Sequence, residues 1–495
     1  MISKTTCQWI FTSFLALSNL IAFAGSNNPV SMSSPKEPII LEVTEKPFKL
    51  DGKGKAVPMF DLTFITPDGK RHKNGYFGTK GEWFDVIVQN RSTEPTSLHW
   101  HGLIVPNDQD GVPDVTQKLI PPGKSMHYKF KLLQSGTYWL HSHQGLQEQR
   151  QLAAPLIIYD NNENKANPQQ VVMFLEDFTY QDPKKILKNL QSKKMTMPKI
   201  SQQKDAKSDD INDIKYDAFL TNKKTLKSPQ VIEVSPGQKI KLRVISGTAS
   251  TNFLMKLGKL NGKVVAVDGE PILPLTGNNF PIGIGNRLDI IVTIPKEEGN
   301  FPILAQAEGT RMQTGLILKT PKATLNKVKT LASKPIGRLH YYPFEEKLQG
   351  TNTLTPKKIS KSLEFVLTGT MNGYIWKINN QAWPNITPMV VEKGQRIELV
   401  FKNNNSMAHP MHFHGHVFQV TELNGKPLKQ GARRDTILVQ PNTTVKIVFD
   451  ADNPGVWVAH CHNLYHLNAG MLTTIEFKAY PKPDFYLKKI GAKPK

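Results

Sequence analysis

Histidines separated by a single residue are the chemically distinctive feature of this 495-residue sequence. Its 14 histidines include five His-x-His pairs, at 99/101, 141/143, 412/414, 414/416 and 460/462, far more than random placement would give. In a β-strand, residues i and i+2 point to the same face about 6.6 Å apart. Two imidazoles placed in this way can bind one metal ion or two adjacent ions, so the pattern indicates a histidine-rich metal site.

The last of these pairs encloses a cysteine, Cys461, and is followed closely by His466 and Met471. Strand alternation sends the two flanking histidines to one face and Cys461 to the other. A thiolate, two imidazoles and a weak axial thioether form the ligand set of a blue electron-transfer copper. We predict that His466 and His409, the latter from the segment HPMHFHGH, supply the imidazoles and that Met471 is the axial ligand.

Eight histidines of these pairs, all except His416, form a second and larger metal set, drawn from two distant parts of the chain. This set comprises His99, His101, His141, His143, His412, His414, His460 and His462. Two of its members are bonded neighbours of Cys461. An electron entering at the cysteine-bound metal would therefore have a short covalent route to the larger set.

An internal repeat predicts the elements that position these ligands. The segments GEWFDVIVQN from Gly81, GQKIKLRVIS from Gly237 and GQRIELVFKN from Gly394 begin 156 and 157 residues apart. Each is a glycine turn followed by a β-type run, and a period this long is a domain repeat. Short strands broken by Pro-Asp-Gly, Asn-Gly and Pro-Gly turns surround them. The sequence therefore predicts an all-β protein of three consecutive β-sandwich domains.

The register of the repeat places the ligands in the outer copies only. Eighteen residues after the first glycine lies HWHG at His99, and eighteen after the third lies HFHG at His412. The equivalent segment of the second copy is MKLG, at Met255. We interpret the middle domain as a spacer that kept the fold without the ligands.

The predicted domain limits follow from this repeat and from the composition. A Lys-rich, polar insertion is predicted within the middle domain, at about 184–227, after a short amphipathic helix at 184–190. The predicted segments are a signal peptide at 1–24, a first domain at 38–165, a second at 166–325 and a third at 345–480.

The N-terminus predicts export. Lys4 precedes an apolar run from Trp9 to Ala24 that ends in an A-x-A cleavage site, as in a secretory signal. The run is shorter than the roughly 20 residues that span a bilayer, so stable membrane insertion is not expected. Cleavage removes Cys7 and leaves Cys461 as the one cysteine of the mature chain, which excludes a disulfide framework.

Composition and charge exclude several other classes. A chain with 39% hydrophobic and 21% charged residues is globular rather than disordered. The formal charge of +22 arises from lysines scattered among acidic residues, so we interpret it as a solvated basic surface and expect no nucleic-acid partner.

The ligand motifs resemble those of the multicopper oxidases, a family that includes laccases, ferroxidases and periplasmic copper-resistance oxidases. The resemblance rests on HWHG at His99, HSH at His141, HPMHFHGH at His409 and HCHNLYHLNAGM at His460. It extends over roughly 38–478, and the contexts GTYWLHSHQGLQEQ and HCHNLYH look most like the bacterial copper-resistance oxidases. It implies cupredoxin-like Greek-key β-sandwiches and four copper ions: one type 1, one type 2 and a type 3 pair.

The resemblance also implies how the ligands are shared among the four ions. By this resemblance His409, Cys461, His466 and Met471 bind the type 1 copper, His99 and His412 the type 2 copper, and His101, His141, His143, His414, His460 and His462 the type 3 pair.

Several further positions bear on catalysis. Asp110 in DQDGVPD matches the family's acid near the water channel of the cluster, and we interpret it, with Cys461, as catalytic. Many bacterial relatives have a glutamate after the last type 1 histidine, where this chain has Leu467. Asn405 stands where some relatives have an acid that assists metal-ion oxidation. Other open positions are Asp435, structural or functional, and Met195 and Met197, as possible Cu(I) ligands.

Two function hypotheses follow. In the first, the chain oxidises a small reductant, either Cu(I), Fe(II) or a phenol, and reduces O₂ to water, with a role in copper tolerance or metal homeostasis. In the second, it is a non-catalytic copper-binding envelope protein. The presence of all the cluster histidines favours the first. A monomer in the periplasm is expected, with secretion as the alternative location.

Overall fold

The computed structural model describes residues 37–163, 168–192 and 211–492. The predicted signal peptide and Met195 and Met197 lie outside these residues. The described residues form three consecutive β-sandwiches, which confirms the predicted all-β fold.

The first sandwich packs a five-stranded sheet, in the order β3-β2-β1-β5-β7, on a four-stranded sheet, in the order β4-β9-β8-β6. Its strands are β1 (Ile39–Lys49), β2 (Ala56–Ile65), β3 (Arg71–His72), β4 (Tyr76–Thr79), β5 (Trp83–Asn90), β6 (His99–His101), β7 (Ser125–Lys131), β8 (Gly136–His141) and β9 (Ala153–Tyr159). Short 3₁₀ helices occupy Leu50–Gly52, Asn107–Gln109 and Glu148–Arg150.

The second sandwich packs a six-stranded sheet, β11-β10-β13-β18-β15-β16, on a five-stranded sheet, β12-β20-β19-β14-β17. Its elements are β10 (Gln169–Phe178), α1 (Pro183–Ser192), β11 (Ala218–Thr221), β12 (Val231–Glu233), β13 (Lys239–Ser246), β14 (Phe253–Lys256), β15 (Gly262–Val267), β16 (Glu270–Gly277), β17 (Asn279–Ile282), β18 (Arg287–Thr293), β19 (Asn300–Ala307) and β20 (Gln313–Lys319).

The third sandwich has one sheet in the order β22-β21-β24-β30-β26-β27, with β28 also paired to β26, and a second in the order β23-β32-β31-β25-β29. Its elements are α2 (Tyr342–Glu345), β21 (Lys361–Thr370), β22 (Ile375–Ile378), β23 (Met389–Val391), β24 (Arg396–Asn403), β25 (His409–Phe413), β26 (Phe418–Leu423), β27 (Lys426–Pro427), β28 (Arg433–Arg434), β29 (Thr436–Val439), β30 (Thr444–Asp450), β31 (Val456–Cys461), α3 (Leu464–Asn468), β32 (Leu472–Phe477) and α4 (Asp484–Lys489).

The three repeat segments form the same strand in each sandwich. Strands β5, β13 and β24 each pair in parallel with the first strand of their own sandwich, β1, β10 and β21. In β5 the alternating residues Phe84, Val86 and Val88 are fully buried, as the period-2 pattern requires of a strand with one face on the core. The histidine motifs that follow begin on β6 and β25, and the MKLG segment begins on β14.

The predicted Lys-rich insertion extends too far at its C-terminal end. The amphipathic helix is present as α1, which buries Ile186 and Leu190. However, Ala218–Thr221 is fully buried and pairs with β10 as strand β11 of the central sheet. The apolar run Ala-Phe-Leu-Thr is too short to stand out from its Lys-rich surroundings, so composition alone assigned it wrongly. None of the helices in the described ranges is long and apolar enough to cross a membrane.

Candidate metal centres

Antiparallel pairing brings the histidine pairs together within each outer sandwich. In the first sandwich β6 pairs with β8, which sets His99 opposite His141. In the third sandwich β25 pairs with β31, which sets His412 opposite His460 and Met411 opposite Cys461. Directly opposed residues on one face lie close enough for their side chains to touch. Each outer sandwich therefore presents a patch of imidazoles at one edge.

The two imidazole patches face each other across the boundary between the first and third sandwiches. The His99 ring stacks on the His414 ring with centroids 3.8 Å apart, and the His101 ring stacks on the His412 ring at the same 3.8 Å. Histidines more than 300 positions apart in the chain thus form one cluster, made half by each outer domain.

Three groups of three histidines within this cluster have the geometry of metal sites. In each group the ring nitrogens lie within 4.8 Å of one another. The first group is His101, His141 and His462, the second is His143, His414 and His460, and the third, which shares His101 with the first, is His99, His101 and His412. In the second group, Nε2 of His460 lies 3.1 Å from Nε2 of His414 and 3.4 Å from Nε2 of His143.

Buried ring nitrogens without partners show that the cluster fits metal ions. His99 Nε2, His141 Nε2, His412 Nε2 and His462 Nδ1 are buried and have no hydrogen-bond partner in the described part of the chain. Leaving a buried polar atom unpaired costs about 1–3 kcal/mol, so such a set needs a compensating ligand. Imidazole nitrogens suit copper, and the residues present therefore fit the metal that the resemblance implies.

Burial keeps these imidazoles in the form that binds metal. It lowers the pKa of His101, His141, His412 and His462 well below the ordinary value, and the neighbouring histidines lower it further in each case. Burial also lowers the pKa of His460, to about 3. Metals bind the neutral ring, so the cluster is ready to coordinate at neutral pH.

A second, smaller centre lies around Cys461 in the third sandwich. Its Sγ atom is 3.5 Å from Nδ1 of His409 and 3.7 Å from Nδ1 of His466, and these two nitrogens are 3.2 Å apart. Cys461 and Met471 are both fully buried, and the Cys461 N–H donates to the Met471 carbonyl at 3.1 Å. One soft thiolate and two imidazoles in a compact triangle fit a blue copper.

The elements around Cys461 explain its position. Cys461 ends β31, and the short helix α3 that follows begins at an Asn463 cap and carries His466. Trp376 stacks on the His466 ring with centroids 3.9 Å apart, which holds that ring in place. The neighbours of Cys461 point to the opposite face of the strand, into the histidine cluster. The two centres are thus joined by a continuous covalent path.

Asp110 lies directly against the histidine cluster. Its backbone carbonyl accepts a hydrogen bond from His99 Nδ1 at 2.8 Å. Its carboxylate accepts one from His414 Nδ1 at 2.9 Å. Asp110 is fully buried and comes directly after the 3₁₀ helix Asn107–Gln109. It therefore contacts two candidate ligands, one in each outer domain.

The structure reveals an acid that the sequence analysis missed, on the outer side of the Cys461 centre. Asp213 of the middle sandwich accepts a hydrogen bond from His466 Nε2 at 2.9 Å, and Tyr374 donates to the same Oδ2 atom at 2.6 Å. The other histidine, His409, donates instead to the amide oxygen of Asn405 at 3.0 Å. Asp213 lies in the polar segment taken for an insertion, where no spacing marks it.

A second missed acid, Glu148, lies beside His141 of the cluster. Its Oε2 atom is 2.9 Å from His141 Nδ1, and burial raises the pKa of its carboxyl well above the ordinary value. A cavity of about 200 Å³ runs past Glu148 and Leu467 to the cluster histidines. Glu148 and Leu467 thus line the same cavity. The cavity therefore contains an acid, although position 467 itself is not acidic.

The middle sandwich contributes to both centres, contrary to its interpretation as a spacer. No candidate group of metal ligands in the described ranges includes one of its residues. It nevertheless supplies Asp213 to the Cys461 centre, and its Gly285 packs on the cluster. A Cβ atom at Gly285 would lie 3.3 Å from ring atoms of His101 and His462.

Comparison with known proteins agrees with this geometry. Three models described as multicopper oxidase match residues 72–163, 169–327 and 357–479. The chain is 34% identical over 410 residues to the multicopper oxidase MmcO of Mycobacterium tuberculosis, covering 81% of this chain and 80% of the relative. It is 25% identical over 528 residues to copper resistance protein A of Escherichia coli, covering 80% and 86%.

The fold is also shared with solved structures. The structure of Fet3p, described as a multicopper oxidase that functions in iron import, superposes with a TM-score of 0.74 at 20% identity. The superposition covers 89% of this chain and 90% of that chain. At this level of identity the likeness establishes the common architecture of three cupredoxin-like domains.

Proposed function

The chain belongs to the multicopper oxidase family, and from this premise we propose which of its residues carry the reaction. The single copper would be held by His409, Cys461, His466 and Met471. The first two groups of three histidines would hold the type 3 pair, and His99 and His412 the type 2 ion. When bound, copper would supply one-electron chemistry at the Cys461 centre, and at the histidine cluster it would supply the four-electron, four-proton reduction of O₂ to two waters.

One observation carries this proposal: Cys461 lies in the small centre while its two bonded neighbours lie in the large one. A protein that only stores copper needs no covalent path between its sites, so this placement favours turnover over storage. The test is to load the purified chain with copper and to measure its copper content and O₂ consumption together. About four ions per chain with oxidase activity are expected, and about one inactive ion would favour the binding protein.

We propose that Asp213 gives the enzyme a preference for reduced metal cations, Cu(I) or Fe(II), over phenols. A carboxylate in contact with His466 places negative charge beside the point where electrons enter. Negative charge attracts and holds a cation near this ring, and it offers a neutral phenol no such attraction. The relatives named for copper resistance and iron transport are consistent with metal-ion oxidation.

Replacing Asp213 with asparagine should therefore separate the two substrate classes. The variant keeps an acceptor for His466 but loses the charge, and kcat/KM for Cu(I) and Fe(II) should fall about tenfold, mainly through KM. For a neutral phenol the change should be under about threefold. Steady-state kinetics on the three reductants provides the measurement. Glu392→Gln, which removes an exposed charge elsewhere, is the control, and equal losses on all three reductants would contradict the proposal.

We propose that Asp110 supplies protons to the O₂ reaction. Its carboxylate is the buried acid in contact with His414, and general acids contribute about 10²–10⁴-fold to rate. Asp110→Asn should slow reoxidation of the reduced enzyme by O₂ about a hundredfold and leave anaerobic bleaching of the blue colour by a reductant unchanged. Stopped-flow absorbance measures both steps. Asp108→Asn on the neighbouring 3₁₀ helix is the control, and equal slowing of both steps would reject the proton role.

Location follows from the N-terminal segment. We propose export to the periplasm, with secretion as the alternative, because the first 24 residues read as a cleaved signal. N-terminal sequencing of the mature protein checks this, and an intact first residue would overturn it.

A further inference from the structure

Two aspartates, Asp110 of the first domain and Asp435 of the third, hold the histidine cluster through the same kinds of hydrogen bond. Asp435 comes directly before β29, and its backbone carbonyl accepts a hydrogen bond from His412 Nδ1 at 2.8 Å. Its Oδ1 atom accepts one from His101 Nε2 at 3.0 Å. Asp110 makes the same two kinds of contact with His99 and His414. Each aspartate thus holds a histidine of its own domain through its backbone and one of the other outer domain through its side chain.

The two clasps differ in what holds the carboxylate. Asp110 Oδ1 is buried and lies 3.2 Å from His99 Nδ1, and no arginine among the described residues pairs with this carboxylate. Both oxygens of Asp435 are instead bound by one guanidinium, since Nη1 and Nη2 of Arg287 donate to Oδ1 and Oδ2 at 2.8 and 2.5 Å. A forked pair of this kind fixes the plane of the carboxylate as well as its position.

Arg287 comes from the middle sandwich and touches all three domains. It begins β18 and is fully buried. Its Nε donates to the Thr137 carbonyl of the first domain at 3.0 Å, and Nη1 also donates to the Gly285 carbonyl at 3.1 Å. Nη1 also lies 3.7 Å from Oδ1 of Asp268 in the middle domain, and Asp435, which both Nη atoms contact, belongs to the third domain. The guanidinium is therefore held by the first and second domains, and its two Nη atoms bind the Asp435 carboxylate of the third.

The motif glycine of HWHG makes room for this pair. Gly102 has φ +88°, and a Cβ atom there would lie 2.5 Å from Asp435 Oδ2 and 2.6 Å from Arg287 Nη2. A side chain at this position would therefore push the ion pair out of its present arrangement. The glycine beside the ligand histidines is thus required by the pair as well as by its backbone conformation.

A buried ion pair is weak evidence for stability, because desolvation of both charges offsets their attraction. The contribution of the Arg287–Asp435 pair is instead to orient the His101 ring. The bond from Asp435 to Nε2 of His101 leaves Nδ1 of that ring directed inward, 3.2 Å from His462 Nε2. Second partners of this kind set which nitrogen of a histidine faces the metal.

We propose that Arg287 of the middle domain is a positioning residue for the three-ion cluster, acting through Asp435 on His101. The proposal rests on the proposed function, since it concerns the same cluster. The middle domain then contributes directly to the cluster. Its Arg287 guanidinium orients His101 of the first domain through the Asp435 carboxylate of the third.

The test compares Arg287→Met with Arg287→Lys and with Arg396→Met in the copper-loaded full-length protein. Arg396 makes a forked pair with Asp450 in the third domain, at 2.7 and 2.8 Å, which makes it a matched control. Arg287→Met should bind cluster copper about 10–100-fold more weakly while the blue absorption of the Cys461 centre persists. Lysine, which can hold one oxygen, should restore part of the loss, and Arg396→Met should keep all its copper.

The readouts are copper content after dialysis against a graded chelator, the visible and near-ultraviolet spectra, and the thermal unfolding temperature. Arg287→Met that keeps the wild-type cluster copper overturns the proposal, as does loss of blue and cluster copper in equal proportion. If Arg287→Met does not fold, Asp435→Asn replaces it and should lose cluster copper selectively, and full retention there overturns the proposal. A wild-type protein without about four coppers would refute the proposed function instead.

Discussion

Replacing Cys461 with serine is expected to abolish the intense blue absorption and to reduce oxidase activity with every reductant to about a hundredth or less. The blue colour arises from a thiolate bound to copper, and a serine hydroxyl is a poor ligand for a soft site. In the structure Sγ of Cys461 is the atom shared by His409 and His466, at 3.5 and 3.7 Å. Without it, electrons have no entry to the bonded path into the cluster.

The fold of this variant should remain intact, because serine is close in size to cysteine and the backbone bond from residue 461 to the Met471 carbonyl is retained. Absorption spectra and O₂ uptake of the copper-loaded variant provide the measurement. Met411→Leu is a suitable control, since Met411 lies directly opposite Cys461 on β25 and is not a proposed ligand. The control should stay blue. A blue Cys461→Ser protein would show that the type 1 assignment is wrong.

Replacing His143 with alanine is expected to give the opposite phenotype: a blue protein that cannot reduce O₂. His143 comes from the first domain, and its Nε2 lies 3.4 Å from His460 Nε2 in the second triad. The Cys461 centre draws its proposed copper ligands from the third domain alone, so its colour should persist. Mutating a residue that only hydrogen-bonds to a metal ligand typically lowers metal affinity or activity about 10–100-fold. Loss of the ligand itself should therefore lower O₂ turnover about a hundredfold or more.

Anaerobic reduction followed by mixing with O₂ distinguishes the two steps in this variant. The blue colour should bleach normally with a reductant and return far more slowly than in the wild type. His127→Ala is the control, because His127 is a half-exposed histidine of the same domain that pairs with Asp85 on the outer sheet. Rapid return of the colour in His143→Ala would remove this histidine from the cluster. Together the two variants test the small and large centres independently.

Much of the fold could be predicted because the signals are local. A run such as Trp83–Asn90 shows the alternation that one buried face imposes on a strand, and its recurrence at Gly237 and Gly394 gives three sandwiches. The ligand histidines were visible for the same reason, since the i, i+2 spacing of a strand is fixed by covalent geometry. The short strand β11 was missed because four residues carry too little pattern to outweigh a Lys-rich background.

Two residues that contact or orient the ligands, Asp213 and Arg287, were not visible in the sequence. Asp213 and His466 are separated by 253 positions, and Arg287 and Asp435 by 148. Asp213 and Arg287 are each a single charged residue in a segment without a motif. Nothing in its local sequence distinguishes an acid that contacts a ligand from one that contacts solvent.

The sequence by itself determined the ligand types, their spacing along strands and the number of sandwiches, since these follow from chain geometry over a few residues. Only the tertiary structure decided how the outer domains face each other, which ring nitrogens point inward, and that the middle domain supports both centres through Asp213 and Arg287. The physical reason is that contacts between domains depend on the shape and charge of whole packed surfaces. The position of a residue on such a surface depends on how the whole chain folds, and the residues beside it in sequence do not determine it.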